Sequence, residues 1–440
     1  MIKSRPVFAM AAMLTAFTQL QSTACAADDE AALELQIDEP DKTGKEAAAA
    51  TEQQAKPTSS MVGSRFSAEV ALGSMQHRGR DTTLETRRVS IDFRRQWALA
   101  PGWRWGLSNR LDHQRAINPG EESLLNSLRE LYVSWQGDTA EPWAVDVGRL
   151  QWRNGPAFGF NPTDFLRGGS LRTFTTVDPI ALRENRLGVG MVRVQKLWSD
   201  GALSVALAPK LDNAPSGESF SADLGSTNGS SRLMAVWSQR VSNRVSAQAL
   251  WLLERGDSPR LGVNATVLFG DAVIGFAEWS GQRMTAPLDA LTGVANVRRW
   301  RHQAVAGATF ALPAQWSLTL EIDHNGEAPD RGTLKQVLAQ QPELLAPYLG
   351  GMGYRQDSAA RLAWMVYLTR KGLFSNNLDL TGFMRHNKDD GSWLAWLEIR
   401  HHWRQADLAL QWQRSHGSSD SEYGSLPAKQ AVQLVGTWYF

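Results

Sequence analysis

From residue 62 onward, apolar and polar side chains alternate one by one instead of recurring every third or fourth position. In the run 316–323, Trp316, Leu318, Leu320 and Ile322 fall on one side, and Ser317, Thr319, Glu321 and Asp323 on the other. A period of two is that of a strand whose two faces meet different surroundings. Val89, Ile91 and Phe93 alternate with Arg88, Ser90, Asp92 and Arg94, and Leu131, Val133 and Trp135 with Glu130, Tyr132 and Ser134. Segments 231–241, 272–283 and 299–311 alternate poorly and are read as strands from spacing and context. The pattern predicts strands over 62–75, 84–99, 102–115, 128–137, 142–151, 186–198, 201–211, 231–241, 244–254, 260–269, 272–283, 299–311, 315–324, 357–369, 375–386, 392–404, 406–415 and 428–440. Tight turns (100–101, 199–200, 242–243, 270–271, 405) alternate with long connections (76–83, 116–127, 152–185, 212–230, 284–298, 325–356, 416–427).

Segregated loop lengths point to a transmembrane barrel with short periplasmic turns and long extracellular loops. A soluble sandwich has no reason to sort its loops this way. The fold class that follows is all-β: a transmembrane antiparallel β-barrel of about 18 strands. It has one long loop folded into or over the pore, 152–185, and a short helix in a second loop. That helix is expected within 331–349 and broken at Pro342. Closure is obligatory, because an open sheet edge in lipid leaves backbone groups unpaired. Tryptophan supports the same orientation. Trp97, Trp103, Trp105, Trp135, Trp143, Trp198, Trp316, Trp403 and Trp438 lie beside the short turns, as a ring at the periplasmic interface would require; Trp279, Trp300, Trp393 and Trp412 lie nearer the other rim. In the last strand Val432, Leu434, Gly436, Trp438 and Phe440 share a face. The terminal aromatic, with Trp438, resembles the signal by which barrel assembly machinery recognises its substrates.

Composition divides the chain into three. Residues 1–26 read as a signal peptide: Lys3 and Arg5, an apolar stretch from Val7 to Phe17, and Ala24-Cys25-Ala26 at the cleavage site. Lipidation of Cys25 is the alternative, but Ser22 stands where an apolar residue is usual. Residues 27–61 read as an acidic disordered periplasmic linker, a possible site for a periplasmic partner. Residues 27–62 hold nine acids against three lysines, a net −6; with +2 in the signal and +1 for the whole chain, residues 63–440 carry +5. The barrel takes 62–440. No later stretch reaches the roughly 18–20 apolar residues of a spanning helix.

Motifs for catalysis are absent. There is no G-x-S-x-G, H-E-x-x-H or P-loop, Gly188-Val-Gly190 lacks a third glycine, and His401 and His402 point to opposite faces of one strand. No cofactor, metal or nucleic acid is expected. The chemistry lies on the inward face, which collects Arg88, Arg94, Arg104, Arg110, Arg193, Arg361, Arg385, Arg400 and Arg404 against Asp92, Asp112, Glu130, Glu321, Asp323, Asp379 and Glu398. One reading is a hydrated, mutually paired wall; the other is a path for an anion, since rings of arginine select anions. The gating loop carries Phe158, Phe160, Asn161, Asp164, Arg167 and Arg172, and a long loop without periodicity is commonly functional.

Two stretches carry a resemblance. Leu128-Arg-Glu-Leu-Tyr-Val-Ser-Trp135, followed by Val145-Asp-Val-Gly-Arg149-Leu-Gln151-Trp-Arg153, resembles the alginate-export-like outer-membrane barrels. Asn161-Pro-Thr-Asp164-Phe-Leu-Arg167, with Asp178-Pro179 and Arg183-Glu-Asn-Arg186, is similar to porin-like barrels of Gram-negative bacteria. The resemblance implies an arginine-rich, partly acid-balanced lumen for an anionic polysaccharide, occluded by loops, and carries over Glu130, Arg149 and Arg153. The expectation is an outer-membrane channel for an anionic polysaccharide or small anion, in contact with lipid and lipopolysaccharide. A general or small-solute porin, a barrel-embedded enzyme and a non-conducting assembly or adhesion protein are the alternatives.

Overall fold

The computed structural model describes residues 64–79, 83–116, 122–138, 142–293 and 298–440. The expected signal peptide and acidic linker lie outside the described residues. Eighteen strands follow in order: β1 (Arg65–His77), β2 (Thr83–Ala100), β3 (Trp103–Ala116), β4 (Glu122–Gln136), β5 (Trp143–Leu150), β6 (Val189–Trp198), β7 (Gly201–Ala208), β8 (Arg232–Ser242), β9 (Val245–Glu254), β10 (Arg260–Phe269), β11 (Val273–Met284), β12 (Arg299–Leu312), β13 (Trp316–Asn325), β14 (Leu362–Arg370), β15 (Leu378–Asn387), β16 (Trp393–His402), β17 (Ala406–His416) and β18 (Ala428–Tyr439). Each pairs antiparallel with its neighbours in sequence, and β1 pairs with β18 from Ser67↔Tyr439 to His77↔Ala428. The sheet is closed and has no edge.

The faces divide as the alternation predicts. Val89, Ile91, Leu320 and Ile322 are 40–54% exposed on the outside, whereas Ser90, Thr319 and Glu321 are at most 5% exposed within. An apolar exterior of this extent is lipid-facing surface. At the short-turn end Trp97 stacks on Trp105 at 4.0 Å, and Trp103 lies 6.5 Å from Trp135. Trp438 and Phe440 point outward, and Phe440 packs on Phe66 at 5.1 Å across the closing seam.

Strand boundaries depart from expectation where local chemistry intervenes. β4 starts at Glu122 instead of 128, because a bulge opposite Ser108 and Asn109 makes Arg129 the extra residue and reverses the phase of the alternation. β7 ends at Ala208, since Pro209 has no N–H to continue the ladder. β14 starts at Leu362 instead of 357, because the Asp357 carboxylate is paired with Arg167 of the inserted loop and the Ser358 carbonyl accepts from the Asn325 side chain.

The two longest connections among the described residues are ordered. Residues 151–188 enter the barrel and contain α1 (Pro179–Glu184), whose N-terminus is capped by the Asp178 carboxylate. A four-residue helix, α2 (Leu224–Thr227), lies between β7 and β8, and α3 (Pro287–Thr292) follows β11. Residues 326–361 hold α4 (Arg331–Gln340) and α5 (Leu345–Arg355), separated by a single 3₁₀ turn, Pro342–Leu344. The predicted break at Pro342 is present, with a helix on each side of it rather than one alone. Leu288, Tyr348 and Met352 form the small core that packs α5 onto α3.

Candidate functional site: the lumen and its inserted loop

An irregular segment crossing a cavity must find partners for its backbone groups. The wall supplies them. Glu278 of β11 accepts from the N–H groups of Ala157 (2.8 Å) and Thr163 (3.1 Å) and from the Thr163 hydroxyl (2.7 Å). Glu321 of β13 accepts from the N–H groups of Phe158 (2.5 Å) and Gly159 (2.8 Å). Charge-assisted bonds of this kind are the strong ones. Arg385 of β15 donates to the Gly159 carbonyl at 2.7 Å, and its other nitrogen pairs with Asp323 at 2.9 Å. On the opposite wall Arg88 of β2 donates to the Thr175 carbonyl at 3.1 Å, and Arg129 of β4 to the Asn185 side chain at 2.9 Å. The loop therefore spans the lumen and is held from both sides. Gly155 permits the approach: at φ +83°, a Cβ there would stand 2.4 Å from a Glu278 oxygen.

The loop is also braced internally and from above. Asp164 pairs with Arg186 at 2.6 Å, and Arg167 lies over the Phe160 ring at 5.3 Å and pairs with Asp357. The Gln356 amide donates to the Arg167 carbonyl at 2.6 Å, and Gly169 N–H to the Tyr354 carbonyl at 2.8 Å. Burial works to raise the Asp357 carboxyl, but Arg355, Arg167 and Arg260 outweigh it and hold it below the usual carboxylate range. At Asp178 burial wins over the cap hydrogen bonds and raises the carboxyl to about 6. Phe158 packs against Tyr367 at 5.6 Å and Phe276 at 6.4 Å, and Asn161 is buried with its amide donating to the Ala157 carbonyl. Arg172 donates to the Asn126 carbonyl at 2.9 Å and to the Ser221 carbonyl, tying the loop to the β7–β8 connection.

The lumen arginines separate into groups. Arg88 and Arg110 belong to a neutralised ladder across β1–β4: Arg88 on Glu69 at 2.5 Å, Arg110 on Glu69 at 3.1 Å and on Asp112 at 2.9 Å, and Arg129 on Asp92. Arg400 is paired with Glu398 at 2.8 Å, and Arg361 donates to the Ala328 carbonyl at the rim. Arg385 holds the loop. A third group surrounds a cavity of about 190 Å³ beneath the loop, lined by Gln96, Arg104, Glu130, Tyr132, Asp146 and Arg193. Here Arg193 pairs with Asp146 at 2.8 Å, Arg104 reaches Gln136 at 3.3 Å, and Arg94 lies 3.7 Å from Glu130 with 43% of its side chain exposed. Arg153 is exposed on the inserted loop.

Arg149 does not belong to the lumen. Its register partners are Leu131 and Gly190, so it projects from the outer face, where it is buried under the β7–β8 connection and donates to the Gly188 and Ala222 carbonyls and the Thr227 hydroxyl. Arg404 is exposed at the turn between β16 and β17. The alternation missed Glu69 and Glu278, whose strands place small residues on both faces. It also missed Arg129, which the bulge turns inward beside Glu130. A charged pair at a break in strand phase is the signal that could have revealed it.

No family model matches the sequence, and no curated protein matches it. Among solved structures, OccK7 (OpdD) of Pseudomonas aeruginosa superposes with a TM-score of 0.51 at 11% identity, over 86% of this chain and 98% of that one. OccK2 (OpdF) of the same organism, in complex with glucuronate, gives a TM-score of 0.50 at 11% identity, over 86% and 97%. These neighbours are outer-membrane porins, in line with the porin-like half of the resemblance; the alginate-export half draws no support from them. Identity this low speaks to architecture alone: the chain is a closed eighteen-stranded antiparallel barrel with the outer-membrane porin fold.

Proposed function

We propose that the barrel is an outer-membrane channel for small anionic solutes, carboxylates foremost, which pass beside the inserted loop. The observation that carries this reading is the cavity of about 190 Å³ under the loop, with Arg104 and Arg193 in its wall and the partly exposed Arg94 at its margin. Arginine offers a carboxylate two parallel donors and keeps its charge at any working pH. A loop held from both walls favours small solutes over the anionic polysaccharide of the sequence expectation, because a polymer would have to displace it. A barrel of the same fold, OccK2, has been seen with glucuronate, a small carboxylated sugar.

Planar-bilayer recording in a salt gradient tests the proposal. Anion-selective current is expected, reduced by added glucuronate more than by glucose. Arg94→Gln, Arg104→Gln and Arg193→Gln each remove a solvent-screened charge contributing up to about 1 kcal/mol, so selectivity is expected to fall by up to roughly fivefold per site. Absence of current from the folded protein, or selectivity unchanged in the triple variant, would overturn it.

A further inference from the structure

The exterior of the barrel bears a row that the channel does not use. At outward positions of β14–β17, direct cross-strand partners run Trp364↔His386↔Trp393↔His416. Trp364 stacks on His386 at 5.3 Å and 10°, and Trp393 on His416 at 5.4 Å and 22°. The row continues on β12 and β13, where His302 stacks on His324 at 5.3 Å. Four of the eight histidines in the chain thus lie on the outer face near the long-loop ends of their strands. An interfacial belt accounts for the tryptophans but gives no reason for imidazoles between them. The Nδ1 atom of His386 is buried without a hydrogen-bond partner.

The outward strand positions around the row carry one sign, while the nearby turn carboxylates of Asp389 and Asp390 are taken up by backbone N–H groups of Arg361, Leu362 and Ser392. Arg414 lies on the outward face of β17 two residues from His416, and Arg283 on that of β11 near Trp300. By register, no outward position of β11–β18 holds an aspartate or glutamate. Imidazole presents at least one N–H donor in either protonation state, and tryptophan gives it a flat support at the depth where headgroups meet acyl chains. Donors and cations on strand faces that hold no carboxylate suit phosphate.

We infer that this row is a docking surface for the phosphorylated glycolipid of the outer leaflet, with His386, His416 and Arg414 donating to its phosphate oxygens. The inference rests on the barrel lying in the outer membrane with its long loops outward, and not on what the lumen transports. The probe is bisphosphorylated lipid A added to the full barrel in detergent, with retained lipid counted by native mass spectrometry and its dephosphorylated form as comparison. The phosphorylated lipid is expected to be retained, and the His386→Gln/Arg414→Gln/His416→Gln variant to hold it roughly tenfold more weakly. His401→Gln at the periplasmic end is expected to bind as wild type. If the triple variant does not fold, His416→Gln alone carries the test, since that side chain is exposed at the end of the row. Equal retention of both lipids, or unchanged binding in the folded variants, overturns the inference. Conductance is expected to be unaffected, which separates it from any failure of the channel reading.

Discussion

Replacing Glu321 is the sharpest test of how the lumen is constricted. Its carboxylate accepts from Phe158 N–H at 2.5 Å and Gly159 N–H at 2.8 Å, and the residue is 5% exposed. Glu321→Ala leaves two donors without partners, at about 1–3 kcal/mol each where water cannot reach. Water in the lumen recovers part of this, so the net loss is taken as about 2 kcal/mol, which raises the unseated fraction of the loop roughly thirtyfold. Glu321→Gln keeps one acceptor and is expected to lie between. Single-channel recording should show larger steps and more open-state noise, and hydrogen exchange should speed up at Phe158 and Gly159. A folded, heat-modifiable Glu321→Ala barrel with wild-type conductance and wild-type protection at those two amides would mean that Glu321 does not seat the loop.

Two further outcomes follow from single residues. Gly148 sits at φ +132°, and a Cβ there would stand 2.3 Å from the Leu131 carbonyl oxygen; Gly148→Ala is expected to cost about 2–3 kcal/mol or more in backbone strain, and a wild-type urea midpoint in detergent would contradict this. At Glu422, in the loop before β18, burial pushes the carboxyl up to about 7 from an ordinary 4.5, against Arg385 and with the help of Asp390. The folded loop then holds a proton that the unfolded chain releases, so its stability is fully present below about 4.5 and is lost as pH rises through about 7. Hydrogen exchange over 417–427, corrected for intrinsic rate, should show protection falling from pH 5 to pH 8. Glu422→Gln should flatten the trend, and an identical trend in that variant would count against it.

The strands were legible because lipid outside and water inside impose opposite demands on successive residues, and even poorly alternating segments such as 272–283 had to span the same distance. The inward set was legible only where that phase was unbroken. One bulge at Arg129 hid a lumen arginine, and it also made the first half of β4 look like loop. Arg149 misled for a different reason. The family resemblance alone carried it over as a lumen residue, whereas the β7–β8 connection folds over it on the outer face and supplies two acceptors. Which arginines are neutralised was hidden as well, since the partners of Arg110 come from three strands. The helices on either side of Pro342 were half visible: the proline marked the break, but the pairing of α5 with α3 rests on contacts between distant segments.

The acceptors that seat the inserted segment come late in the chain. Glu278 lies 121 residues after Ala157, and Glu321 162 residues after Gly159. Until β11 and β13 have joined the wall, the segment has nothing to grasp on that side. The stopper thus closes on that side only against a wall that already includes β11 and β13, and a cylinder lacking either would grip it from one side alone.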